Sequence, residues 1–164
     1  MRILSRSLPA VAACLGLLLA TTTSAQAVGT PGWYGSQPFA VGWCGLWKHL
    51  ASGSDLQEIK ARTCLTSWGS GVVQPTIVFA NSSSSRFTAS GQIYLQYYDQ
   101  VGALDGSPTY DCRSHSIAPH GWAFCVGYSA NVVSAGARLT LGVSYPVVSG
   151  SPVYEQQVSG EFYS

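Results

Sequence analysis

Charge is scarce in this chain: Asp, Glu, Lys and Arg make up only 9% of its 164 residues, and the formal net charge is +1. A nucleic-acid or anionic-membrane partner calls for a basic patch, and this balance supplies none. The sequence also lacks a long amphipathic helical pattern, a repeat of fixed period, a C-x-x-C or H-x-x-x-H pair, and a G-x-S-x-G turn. Those gaps remove the usual signatures of a solenoid, a zinc site and an α/β-hydrolase.

What the chain does contain begins at its N-terminus. Arg2 and Arg6 precede an apolar run from Leu8 to Ala20, then a Thr/Ser stretch and Ala25-Gln26-Ala27. A basic start, an apolar centre of this length and an A-x-A site predict a secretory signal peptide over residues 1–27, cleaved before Val28. The run is too short for a stable membrane span, so no membrane association is expected after cleavage. Val11-Ala12-Ala13-Cys14 has the form of a lipoprotein processing box, but the apolar run continues past Cys14, which places that cysteine inside the segment and not at its end. Without Arg2 and Arg6, six basic residues face seven acidic ones, a formal net charge of −1.

Four cysteines remain, Cys44, Cys64, Cys112 and Cys125. An even number in an oxidising compartment reads as two disulfides. Pairing Cys44 with Cys64 and Cys112 with Cys125 is preferred, because each pair is close in sequence and brackets a segment with turn signals.

Period-2 alternation dominates the rest. The Gly/Pro-rich start, residues 28–38, reads as a loosely held arm, and residues 39–164 as a single domain. Strands are expected at Phe39 to Cys44, from Ile59, over Val72 to Ala80, around Ile93 to Tyr98, and at Thr109 to Arg113, Trp122 to Ala130, Arg138 to Tyr145 and Val153 to Phe162. Pro75 suggests an edge strand or a bulge, and Asp105-Gly106 a hairpin turn. Seven or eight short strands with turns between them describe an all-β fold, a small disulfide-stabilised β-sandwich, immunoglobulin-like in outline.

The densest cluster of chemistry is Asp111-Cys-Arg-Ser-His-Ser-Ile-Ala-Pro-His-Gly-Trp-Ala-Phe-Cys125. As a metal site it would use His115, His120 and Asp111, but histidines five apart across Pro119 fit neither helical nor strand spacing, so no metal or other cofactor is expected. No catalytic residue stands out either: Glu58, Glu155 and Glu161 fall near strand ends or turns, where spacing cannot set them beside a histidine. The stretch reads most simply as a disulfide-stapled loop with His115 and His120 exposed on it.

Aromatic residues are the other signal. Trp33, Tyr34, Trp43, Trp47, Trp68 and Trp122 stand among nine tyrosines. Core packing is expected for Trp43 and Trp122, which fall at inward-alternating positions. Tyr94, Gln96 and Tyr98 differ, since they lie opposite the Ile93, Leu95 and Tyr97 face and read as an exposed ligand-binding row. Asn81-Ser82-Ser83 matches a glycosylation acceptor. The sequence therefore points to a secreted, non-catalytic binding or surface-associated module whose partner is an extracellular protein or carbohydrate. A small secreted hydrolase and an extracellular protease inhibitor are the alternatives.

Overall fold

The computed structural model describes residues 30–36, 42–50, 58–102, 104–148 and 156–163. The expected signal peptide, Phe39, Val41 and Glu155 lie outside the described residues. Two sheets of antiparallel strands pack face to face, with no helix among the described residues. Sheet A is ordered β1 (Gly32–Tyr34), β8 (Trp122–Val126), β4 (Val72–Asn81), β3 (Ile59–Ser67) and β2 (Lys48–His49), and β9 (Ala130–Asn131) also pairs with β4. Sheet B is ordered β11 (Gln157–Val158), β10 (Leu139–Val148), β5 (Phe87–Tyr98) and β6 (Leu104–Gly106). In that sheet β7 (Tyr110–Ile117) also pairs with β5, and β12 (Phe162–Tyr163) with β10.

Inward-facing residues of both sheets make the core. Ile59, Ala61, Ile77 and Phe79 of sheet A meet Phe87, Ala89, Ile93 and Ile117 of sheet B, all buried. A second cluster holds Leu65, Val73, Leu95, Val132 and Ala137. Burying an aliphatic or aromatic side chain of this size contributes about 1.5–3 kcal/mol. The interior also carries a hydroxyl pair, Thr63 and Ser144, 2.5 Å apart. The Cys112–Cys125 disulfide joins β7 to β8 and so ties one sheet to the other, and Cys44–Cys64 pins the segment before β2 to β3.

That second tie explains a difference between the sheets. Along β4 nearly every residue is buried, while β5 alternates buried with half-buried positions. Sheet A is covered on both faces: Cys64, Val78 and Phe124 form a small outer cluster beneath Tyr34, Cys44 and Trp47. The Arg62 guanidinium lies 4.4 Å from the Trp47 ring centre, and Trp47 meets Trp122 edge-on. A Cβ on Gly45 would collide with the Val158 carbonyl, so glycine lets this cover pass close to β11. Sheet B has no disulfide-pinned segment over its outer face among the described residues, and β5 alternates accordingly, although Val143 of β10 is buried on that face.

Several expectations change against this architecture. Residues 32–34 of the expected loose arm form β1, paired with β8 from Gly32–Val126 to Tyr34–Phe124. Gly42 bridges Leu65, but Trp43 turns the chain at φ 38° and is 46% exposed, so it is neither strand nor core. Trp122 is 51% exposed, because the face it shares with Phe124 is the outer face of sheet A. Pro75 sits in an interior strand. Its carbonyl accepts from Gly127 N–H on the side where β8 ends and β9 has not begun, so its missing N–H falls in a gap of the ladder. Asp105 and Gly106 lie within β6, paired with Tyr97 and Gln96, and the reversal comes earlier in the chain. Beyond residue 155 the expected long strand is two short ones, β11 and β12.

Asn81 is 3% exposed. Its Nδ2 donates to the carbonyls of Ser85 and Ala118, and its Oδ1 accepts from the backbone and hydroxyl of Ser83. In the folded chain this amide therefore clasps two turns together, and it is not an accessible glycosylation acceptor.

Candidate ligand-binding face

The stretch from Asp111 to Cys125 is two strands joined by a tight turn, and not a loop. Asp111, Arg113 and His115 lie in β7, and only residues 118–121 connect β7 to β8. Asp111 faces outward, where it accepts from Gln92 Nε2 at 2.9 Å. His115 instead stacks on Trp33 between the sheets and is half-buried, correcting the expectation that it is exposed. His120 is exposed in the turn, at φ 52°. Pairing thus sends Asp111 and His115 in different directions. Among the described residues no three His, Cys, Asp or Glu side chains group as metal ligands would. Glu58 and Glu161 are exposed, and Glu161 accepts from the Tyr163 hydroxyl.

The expected Tyr94, Gln96 and Tyr98 row stands on the outer face of sheet B, each residue half-buried. Residues directly opposite in an antiparallel pair share a face, so the register extends the row sideways. Tyr98 lies opposite Leu139, which lies opposite Tyr163; Gln96 lies opposite Leu141; Tyr94 opposite Val143 and then Val158; Gln92 opposite Tyr145 on one side and Asp111 on the other. Four tyrosines therefore share one sheet face, with Gln96 between Tyr94 and Tyr98 and Leu139 between Tyr98 and Tyr163. Gln92 follows from the same alternation within β5, but Tyr145, Asp111 and Tyr163 could not be assigned to the face from sequence, since that needs the pairing of β5 with β7 and β10, and of β10 with β12.

Two clefts indent this face. One, of about 480 Å³, is lined by Ser90, Gln92, Asp111, Tyr145 and Val147 among others, beside the irregularity in β5–β7 pairing between Ala89 and Gly91. The other, of about 380 Å³, is lined by Tyr94, Gln96, Asp105, Ser107 and Thr109 with Gly106. A third cleft, of about 460 Å³, lies at the rim between the sheets, bounded by Trp33, Tyr110, Tyr128, Asp111, Arg113 and Thr109. Tyr110 and Tyr128 meet edge-on there. Thr109 and Asp111 each line two of the three clefts, so these lie side by side.

The tyrosines affect one another. Burial raises the Tyr94 phenol above its ordinary value, helped by a hydrogen bond with Tyr145 and by the potential negative charges of Tyr145 and Tyr98. Tyr97, on the opposite face of the strand, is raised by burial and by the nearby Asp105 carboxylate. The two clefts on the face present hydroxyls, amides and the Asp111 carboxylate, with no lysine or arginine among their described lining residues; Asp105 also borders the second cleft, but lies opposite Tyr97 in the register.

No protein-family model matches the chain, and no curated protein does. Among solved structures it is similar to the X-ray structure of Northeast Structural Genomics Consortium target SoR45, at 12% identity and a TM-score of 0.35, over 63% of this chain and 81% of that one. A likeness at that level carries no argument about ligand or chemistry.

Proposed function

We propose that this protein is a secreted, non-catalytic binding module that engages an extracellular ligand through the outer face of sheet B. The observation that carries the reading is the contrast between the sheets: the chain covers the outer face of sheet A with its own disulfide-pinned segment and leaves four tyrosines on the outer face of sheet B. Tyrosine supplies ring area and a hydroxyl at small entropic cost, which suits a binding surface. Two disulfides favour an oxidising compartment, and the signal-like N-terminus agrees with export.

The experiment that tests this compares one substitution per surface: Gln96→Arg on sheet B, Trp122→Ser on sheet A and Tyr128→Ser at the rim cleft. Each variant is scored for retention on cell-surface and culture-supernatant material of the producing cells. Loss confined to Gln96→Arg is the expected outcome. Loss confined to either of the others would move the binding site and overturn the reading.

A further inference from the structure

The proposed binding face has a chemistry of its own that narrows its ligand. Along β5 the side chains on the outer face run Gln92, Tyr94, Gln96, Tyr98, so each ring is flanked by an amide. At the strand rise of about 3.4 Å per residue, neighbours on this face stand about 7 Å apart and Tyr94 and Tyr98 about 14 Å apart. On β5 polar groups interrupt the rings at every step, and the apolar side chains of this face, Leu139, Leu141 and Val143, form a row on the neighbouring β10, Val143 buried and the two leucines half-buried. The amide of Gln92 is held by Asp111 at 2.9 Å, which fixes its orientation toward the cleft.

Rings set beside amides and a carboxylate match one kind of ligand well. A pyranose presents an apolar C–H face that packs on an aromatic ring and, around its edge, hydroxyls that both donate and accept. Gln92 and Gln96 can do both as well, and Asp111 accepts only. The Asp111 carboxylate, with no cation among the described lining residues of these two clefts, disfavours a ligand bearing carboxylate, sulfate or phosphate. The two clefts lie on the same sheet face, side by side across β5 and its neighbours, which suits an extended chain better than a single small molecule. We propose that the outer face of sheet B binds a neutral polysaccharide, with Tyr94, Tyr98 and Tyr145 as stacking surfaces and Gln92, Gln96 and Asp111 as partners for its hydroxyls. This rests on the proposed function and specifies its ligand.

Native affinity electrophoresis tests it, using gels that contain hydroxyethyl cellulose, xyloglucan, glucomannan or laminarin, and the carboxymethylated form of any that binds. At least one neutral polysaccharide should retard the wild-type protein. Tyr94→Ser/Tyr98→Ser should then migrate as in a glycan-free gel, and Gln96→Ala, which removes no ring, should raise the apparent Kd about fivefold, the loss of one hydrogen bond. The carboxymethylated form should bind at least tenfold more weakly. Silence of all four polysaccharides, equal or stronger retardation by the charged form, or undiminished retardation of Gln96→Ala would each overturn the assignment. Failure of this inference alone is recognisable: the four polysaccharides stay silent while Gln96→Arg still abolishes retention on extracellular material, most directly if protease treatment of that material also abolishes it. If the wild-type protein is not retained on that material either, the binding face itself falls.

Discussion

The Trp33 indole and the His115 imidazole lie face to face although they belong to different sheets, with ring centres 4.7 Å apart and planes 14° from parallel. Trp33 Nε1 also donates to the Arg113 carbonyl at 2.7 Å, so β1 and β7 are held at the rim by a stack and a hydrogen bond together. This histidine is therefore a packing residue. His115→Ala should lower unfolding free energy by about 1 kcal/mol in chemical denaturation and leave ligand retention unchanged. Loss of retention without loss of stability would instead place His115 in a functional role.

Asn81 satisfies polar groups in two turns from one buried side chain. Asn81→Ala leaves the Ser85 and Ala118 carbonyls without that donor and should cost about 2–3 kcal/mol, read as a lowered denaturant midpoint with an unchanged slope. A variant as stable as wild type would mean that water replaces the amide at no cost.

The Cys44–Cys64 disulfide closes a sequence separation of 20 residues and holds the cover over Cys64, Val78 and Phe124. Replacing both cysteines with alanine should cost about 3 kcal/mol by the chain-entropy argument. It should also increase binding of a hydrophobic dye, because the outer cluster of sheet A loses its tether. Destabilisation without any gain in dye binding would show that the cover stays in place unaided.

Alkaline pH should weaken the fold. Tyr94 and Tyr97 both titrate above the ordinary 10.0 in the folded chain, so the unfolded chain releases those protons first. Their contribution to stability is intact below pH about 10 and is lost as pH climbs through the folded values. Thermal unfolding followed across that range should show Tm falling, and Tyr94→Phe/Tyr97→Phe should fall less steeply than wild type. Identical slopes for the two proteins would contradict the account.

Much of this was legible in the sequence, for identifiable reasons. Alternation within one strand is a local signal, so it sets Tyr94, Gln96 and Tyr98 opposite Ile93 and Leu95. Short sequence separation led to the cysteine pairing that the structure has. What failed depends on which strand lies beside which. Trp122 alternates like a core residue, but the face it occupies is the outer one, and only the cover carrying Trp47 explains the burial of its neighbour Phe124. Pro75 in an interior strand is tolerated because two partners, β8 and β9, share that side of β4 and leave a gap between them. The extension of the tyrosine row to Tyr145 and Tyr163 required the β5–β10–β12 register, which no local pattern encodes.

The central claim is that the tyrosine face exists for binding and not for packing, and one paired measurement on Tyr94→Ser/Tyr98→Ser tests it most directly: unfolding free energy and retention on extracellular material, from the same preparation. Because both rings are half-buried and Tyr94 is hydrogen-bonded to Tyr145, a loss of about 1–2 kcal/mol is expected, well short of the cost of emptying a core site. Retention should fall at least tenfold while the protein remains folded. Undiminished retention by the folded variant, or a loss of stability as large as a core truncation, would contradict the account.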